Sequence, residues 1–283
     1  MDISHLKTFL EIYQTRHFRK SAEKLFITQS AASARIKLLE ENLGVKLFTR
    51  EKRKIEPTSA AHRFYKYADV VVSNWDQAKQ MVALPDDVEQ SISLACMADV
   101  WHLFLNNWIS DIQRQSPELA FNLTINQANN ITENVINGTL DLGLVFEPMN
   151  LPNLQMQEVL TFDIKLFSTK PQQKVEDALN EDYVMVDWGP SFAYEYSQKY
   201  AERALATIQT NYGVMALDIL KNKGGAAYLP DLKALREDES ITLHEVENAF
   251  VFERKLYAIF RKNTPLTNKI ETLIRVVNKN ISN

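Results

Sequence analysis

The side chains with the clearest chemical task share one face of a short segment: Thr28, Gln29, Ser30, Ser33, Ala34 and Lys37. They are small or hydrogen-bonding, with one cation. A glutamine can pair bidentately with adenine, and a face that is slim, with donors and acceptors, suits base edges in a major groove. Arg35 adds a guanidinium beside this face. Lys46, Arg50, Lys52, Arg53 and Lys54 follow directly and suit phosphates, which set affinity and salt dependence without carrying sequence information. Bond-breaking chemistry finds less support. His5, His17, His62, His102 and His244 are dispersed, with no zinc-ligand spacing. There is no Gly-x-Ser-x-Gly elbow and no phosphate-cradling glycine loop. Asp99 and Glu147 could meet in a cleft as a carboxylate pair, or each could cap a strand end.

The elements that must position these groups can be read from periodicity. Ala32, Ile36, Leu39 and Leu43 recur at helical spacing, opposite the polar face. Thr28 is an N-cap type and Gly44 stands where a C-cap is expected. Leu6, Phe9, Leu10 and Tyr13 mark an earlier helix, and Phe18, Ala22 and Leu25 a short second one. Phe26 and Ile27 leave room only for a tight turn before Thr28, so the segment reads as a helix-turn-helix with its third helix as the recognition element.

At this point the segment resembles the LysR-type transcriptional regulator family. The matching residues are Leu6-Lys7-Thr8-Phe9, Phe18, Ala22-Glu23-Lys24-Leu25, Thr28-Gln29-Ser30, Ser33, Ile36, Leu39-Glu40, Leu43-Gly44-Val45, Leu47-Phe48 and Arg50. Thr15-Arg16-His17-Phe18 and Ala34-Arg35-Ile36 look most like the subgroup of the flagellar master-operon repressor. The resemblance implies a winged helix-turn-helix over residues 1–57, whose wing carries the cations around Arg50 and Arg53. Two departures stand out. Ala34 occupies a position where the family commonly has arginine, and Pro57-Thr58-Ser59-Ala60-Ala61 replaces the usual Leu-Thr-x-Ala-Gly.

A long helix over 58–84 follows. Ala61, Phe64, Ala68, Val71, Trp75, Ala78 and Val82 repeat at alternating spacings of three and four, a heptad seam. A second copy of the chain is its simplest partner, and in the family this linker helix pairs two subunits; family dimers also pair into tetramers. Residues 85–90 open with a proline and read as a hinge.

Beyond it, residues 91–283 alternate strand and helix patterns: strands near 92–96, 119–125 and 140–146, then 183–186, 205–208, 226–229, 241–247 and 250–261, with helices between and a last helix through Leu266 to Val277. The expected fold is α/β with an all-α/winged-helix N-terminal domain, and the body resembles the two-lobe periplasmic-binding-protein fold of the family's effector domain. Gly138-Thr139-Leu140-Asp141-Leu142-Gly143-Leu144 and Lys223-Gly224-Gly225-Ala226-Ala227-Tyr228-Leu229-Pro230 carry that resemblance. Ligands of such sheets sit at strand carboxyl ends. The expected effector contacts are therefore Met97, Ala98, Asp99, Trp101, Gln127, Ala128, Asn129, Phe146, Glu147, Gln209, Thr210, Asn211 and Tyr228. Many relatives hold an anionic ligand with a hydroxyl residue where this chain has Asp99. Asp99 and Glu147 would repel an anion, so a neutral aromatic or an amine is expected and a simple carboxylate is not.

Charge agrees with this division. Residues 1–66 hold 14 Lys+Arg against 7 Asp+Glu, whereas the remainder holds 18 against 29. A basic head on an acidic body points to double-stranded DNA at the head. No apolar run approaches the roughly 18 residues of a membrane span. The single cysteine, Cys96, excludes an internal disulfide framework, and the N-terminus shows no secretory pattern, so a cytoplasmic chain is expected, with no metal and no cofactor. Two alternatives remain open: a metabolite-processing enzyme with an N-terminal docking module, and a DNA-binding protein without an effector.

Overall fold

The computed structural model describes residues 2–51, 54–85, 88, 90–105, 108–200, 206–236 and 238–281. The chain divides into two compact units, Met1–Asp86 and Asp87–Asn283.

In the first unit α1 (Ile3–Thr15) starts at Asp2, whose side chain accepts from the Ser4 amide. The short α2 (Phe18–Lys24) runs into Phe26, held at φ 54° with its ring almost wholly exposed. Helix α3 (Gln29–Leu43) lies between Thr28, whose Oγ1 accepts from the Ala31 amide, and the left-handed Gly44. Its expected stripe is the packed one: Ala32, Ile36 and Leu39 join Leu6, Phe9, Ile12, Phe18 and Leu47 in one core, while Leu43 stays exposed. Strands β1 (Phe48–Glu51) and β2 (Lys54–Pro57) form an antiparallel ribbon. The Phe48 ring lies 5.7 Å from Phe9, which anchors the ribbon.

Helix α4 (Ser59–Val82) begins at Thr58, which accepts from the Ala61 amide. Here the seam needs correcting. Phe64 and Ala68 face their own chain: the Phe64 ring is 5.2 Å from Phe9, and Ala68 is buried in the same core. Lys7 reaches Asp76 at 2.9 Å and extends the α1–α4 contact. Helix packing claims one flank of α4 because α1 needs a cover. The remaining seam positions turn outward: Val71 is 47 % exposed, Trp75 49 % and Val82 89 %, Ala78 is exposed, and Tyr67 adds one turn at 62 %. Of the hinge, residues 86, 87 and 89 lie outside the described residues.

The second unit is built on one nine-stranded sheet. Its first lobe contains β3 (Gln90–Cys96), β4 (Leu119–Ile125) and β5 (Leu142–Val145), with β3 parallel to both neighbours. The helix expected between the first two strands is broken into α5 (Ala98–Val100), a π-helical turn (Trp101–Leu105) and α6 (Trp108–Gln115). Helix α7 (Ala128–Asn137) links β4 to β5. Strand β6 (Leu154–Ser168), which the sequence reading did not anticipate, runs from the first lobe into the second. The second lobe holds α8 (Val175–Asn180), β7 (Tyr183–Val186), α9 (Pro190–Lys199), β8 (Ile208–Thr210), α10 (Gly213–Lys223), β9 (Ala226–Pro230), α11 (Lys233–Arg236) and β10 (His244–Glu245). The strand expected at 241–247 shrinks to those last two residues, and Leu205 lies outside the described residues. Strand β11 (Phe252–Arg261) returns antiparallel to β6, and α12 (Thr267–Ile281) closes the chain against α6. The order β4-β3-β5-β11-β6-β9-β7-β8 makes β6 and β11 the two strands shared by both lobes. Gly224-Gly225 makes the turn before β9: Gly225 sits at φ 117°, and a Cβ there would collide with the Asp182 carbonyl oxygen.

A polar face on α3 and a cleft between two lobes

On α3 the buried stripe fixes what points outward. Gln29, Ser30, Ala34 and Lys37 are exposed, and Ser33 is half-buried. Thr28 spends its hydroxyl locally: besides capping α3, it lies 2.9 Å from the Ser30 Oγ. Arg35 turns back toward α1, and its Nη1 donates to Thr8 Oγ1 at 3.3 Å. Lys37 leans toward Glu41, 3.7 Å away. Arg50 pairs with Ile55 in the β1–β2 register, but its side chain, like all of Arg53, lies outside the described residues.

Glu40, which has no part in the polar face, joins α3 to the ribbon. Glu40 is buried, and its Oε1 accepts from the amides of Leu47 at 2.8 Å and Phe48 at 3.3 Å. Its Oε2 takes the Lys46 ammonium at 2.7 Å, which raises the Lys46 pKa. The only sequence signal was a carboxylate next to the buried stripe, at Leu39-Glu40. Replacing Glu40 with alanine leaves the buried Leu47 amide without an acceptor. We expect a loss of about 1–3 kcal/mol in the first unit, read by thermal unfolding, with weaker binding to any duplex because the ribbon loses its brace. Unchanged unfolding would contradict this.

In the second unit Asp99 does hold a helix N-terminus, but that of α10 in the other lobe. Its Oδ1 accepts from Gly213 N at 2.8 Å and Val214 N at 3.3 Å. Burial pushes its pKa up to about 6, against the opposing pull of those two amides. Glu147 repeats the pattern: its Oε1 accepts from Ser191 N at 3.2 Å, in the first turn of α9. Two first-lobe carboxylates thus each engage the positive end of a second-lobe helix. The fit at α10 is close, since a Cβ on Gly213 would strike the Trp188 ring. Trp188 is itself buried and donates from Nε1 to the Tyr228 carbonyl at 3.0 Å.

The other expected cleft residues divide. Met97, Ala98 and Trp101 are half-buried beside Asp99; Gln127 and Asn129 are exposed at the start of α7, and Gln209 and Asn211 in and just after β8, with Ala128 and Thr210 partly covered. Thr210 accepts from the Tyr212 amide at 3.1 Å. Phe146 is buried, 6.3 Å from the Trp188 ring. Tyr228 needs correcting: it is fully buried, packed on Phe192 and Phe252, with its hydroxyl 2.8 Å from that of Tyr200. It belongs to the second lobe's aromatic core because β9 is central and covered on both sides. Ser191, Gly213, Val214 and Trp188 were missed, and three of them act through backbone amides that any residue type supplies.

The comparisons with known proteins agree with this architecture. Residues 3–62 match the model of the bacterial regulatory helix-turn-helix protein, lysR family, and residues 85–282 match the LysR substrate binding domain. The chain is 31 % identical over 278 residues to the HTH-type transcriptional regulator HdfR of Salmonella newport (strain SL254), covering 97 % of this chain and 98 % of the relative. The HdfR protein of Salmonella typhimurium (strain LT2) matches equally. Among solved structures, CbnR, a LysR family transcriptional regulator, superposes with a TM-score of 0.74 at 18 % identity over 98 % of this chain and 99 % of that one. CbnR complexed with its target DNA gives 0.74 at 20 %, over 98 % and 100 %. Among the described residues no helix is long and apolar enough to cross a membrane. The chain belongs to the LysR family: it is a DNA-binding transcriptional regulator whose N-terminal helix-turn-helix is followed by an effector-binding domain.

Proposed function

We propose that α3 reads operator bases through Gln29, Ser30, Ser33 and Ala34, that two copies pair along the outer face of α4, and that a small molecule held between the two lobes sets DNA affinity. The observation that carries the first part is the exposed run Gln29, Ser30, Ala34 and Lys37 on a helix whose opposite side is buried. Thr28 and Arg35 act behind this face, one as helix cap and one as a tie to α1, while Lys37, Arg50 and Arg53 neutralise phosphates. The outward row Val71, Trp75, Ala78 and Val82 supports pairing with a second copy. The cleft edges offered to an effector are Met97, Trp101, Gln127, Asn129, Phe146, Glu147, Gln209 and Asn211. The reading includes no catalytic step. Asp99 and Glu147 engage amides of two different helices, so neither stands free beside the other as a hydrolytic pair would. It places the protein in the cytoplasm, with its DNA.

Gln29→Ala is expected to cost about 1–3 kcal/mol at the preferred site and to relax specificity there. Lys37→Ala should weaken all duplexes by similar, smaller amounts. Affinities for a specific and a scrambled duplex check both, and an equal loss on the two duplexes for Gln29→Ala would overturn the base-reading role.

A further inference from the structure

Strand β11 carries one charged residue among its inward positions. Phe252, Arg254 and Leu256 are all buried, with Glu253 and Lys255 on the outer side. The Arg254 guanidinium lies 5.5 Å from the centre of the Phe192 ring. Its Nη1 donates to the Glu253 carbonyl at 2.9 Å and makes a long contact of 3.4 Å to Glu195, a partly exposed carboxylate. Its Nε and Nη2 are buried and have no hydrogen-bond partner among the described residues. An apolar side chain of that size would serve a core better, because a buried charge with idle donors is costly.

Arg254 lines a cavity of about 340 Å³ together with Phe146, Glu147, Met156, Ser191 and Tyr257. The cavity lies where the shared strands meet the first turn of α9. Its wall has three chemistries. Arg254 is a fork that suits a carboxylate. Phe146, Met156 and Tyr257 offer apolar surface. Glu147 supplies a negative charge, with Glu253 also at the lining, whereas Lys255 is already tied to Glu158 at 3.0 Å. A simple anion would satisfy the arginine but meet the two carboxylates. A simple amine would satisfy the carboxylates and leave the arginine idle.

We propose that this cavity binds a small zwitterion, an α-amino acid with an apolar side chain, its carboxylate on Arg254 and its ammonium toward Glu147. The ligand carboxylate replaces the long Glu195 contact, and the side chain rests against Met156 and Tyr257. The inference deepens the effector reading and rests on it for its regulatory meaning, whereas the binding itself can be measured without DNA.

The test is titration calorimetry on the full chain with three probes: leucine, its deaminated analogue 4-methylpentanoate, and its decarboxylated analogue 3-methylbutylamine. Leucine is expected to bind, with each analogue about tenfold to a hundredfold weaker, the loss that follows from removing one charged hydrogen-bonding group. Arg254→Met should abolish leucine binding while unfolding at a temperature no lower than the parent's, since it removes the idle charge. Glu147→Gln should weaken leucine but leave 4-methylpentanoate unchanged or tighter. Equal binding by parent and Arg254→Met, binding of the amine alone, or no heat with any probe would overturn the proposal. Leucine binding that leaves DNA retardation unchanged would uphold the site and remove its regulatory meaning, so the two readings fail separately.

Discussion

Val71→Asp is expected to turn the dimer into a folded monomer. Val71 and Trp75 are each about half exposed and Val82 almost wholly so, in a row one helix turn apart, while the opposite flank of α4 is already covered by α1. A carboxylate at Val71 would be desolvated in any interface that buries this row, and burying an unpaired charge outweighs what a few apolar contacts return. The site read by two linked heads would then be read by one, and affinity for a two-part operator should fall by about a hundredfold to ten-thousandfold. Ala68→Asp serves as the contrast. Ala68 is buried against the chain's own core, so that variant should unfold the first unit and not merely split the dimer. Light scattering and circular dichroism together separate the outcomes: a folded dimer for Val71→Asp would remove the outer face of α4 as the pairing surface.

Asp99→Ala is expected to loosen the two lobes, and Asp99→Asn is not. Alanine leaves the Gly213 and Val214 amides without their acceptor, at a cost of about 1–3 kcal/mol. Asparagine keeps an acceptor oxygen and removes a buried charge. The pH dependence gives the sign independently. Burial raises the Asp99 pKa from 3.8 to about 6. Between those values the unfolded chain has lost the proton and the folded chain still holds it. The contribution of Asp99 is therefore most favourable below about pH 4 and declines as pH rises to about 6, by roughly 3 kcal/mol in all. Asparagine does not titrate. Its unfolding temperature relative to the parent should climb across that interval and level off above it. Tyr212, whose pKa is raised by burial and by Asp99, and His102, whose ring lies 5.8 Å from Tyr212, are the neighbouring titratable groups. A parent-minus-asparagine difference that is flat with pH would contradict the account of the buried carboxylate.

What the sequence disclosed was local. The α3 stripe and its Thr28 and Gly44 caps each depend on neighbours a few residues away, so spacing alone locates them. Strand β6 stayed hidden because its fifteen residues pair in turn with β11, β9 and β10. Its covered side changes along its length, and no single period survives. Helical spacing around Trp101 was present but could not disclose the π-helical turn that splits that segment. Asp99 was legible as a cleft carboxylate, yet its partner lies 114 residues away and is a backbone amide, which leaves no mark in composition. The heptad spacing on α4 marks its apolar positions, but periodicity does not say that Phe64 and Ala68 meet the chain's own core while Val71, Trp75 and Val82 turn outward. Arg254 did leave a signal, a charge at an inward position between Phe252 and Leu256, and it is the kind of local inconsistency that marks functional sites.

The central claim is that a pair of α3 helices reads a specific two-part sequence. Selection of bound duplexes from a randomised pool by the purified full chain tests it most directly. Enrichment of a roughly palindromic motif is expected, with half-sites about 10 base pairs or a multiple apart, and with one or more preferred positions lost from each half when the selection is repeated with Gln29→Ala. Recovery of duplexes with no shared motif, or of a single unpaired half-site unaffected by Gln29→Ala, would contradict it.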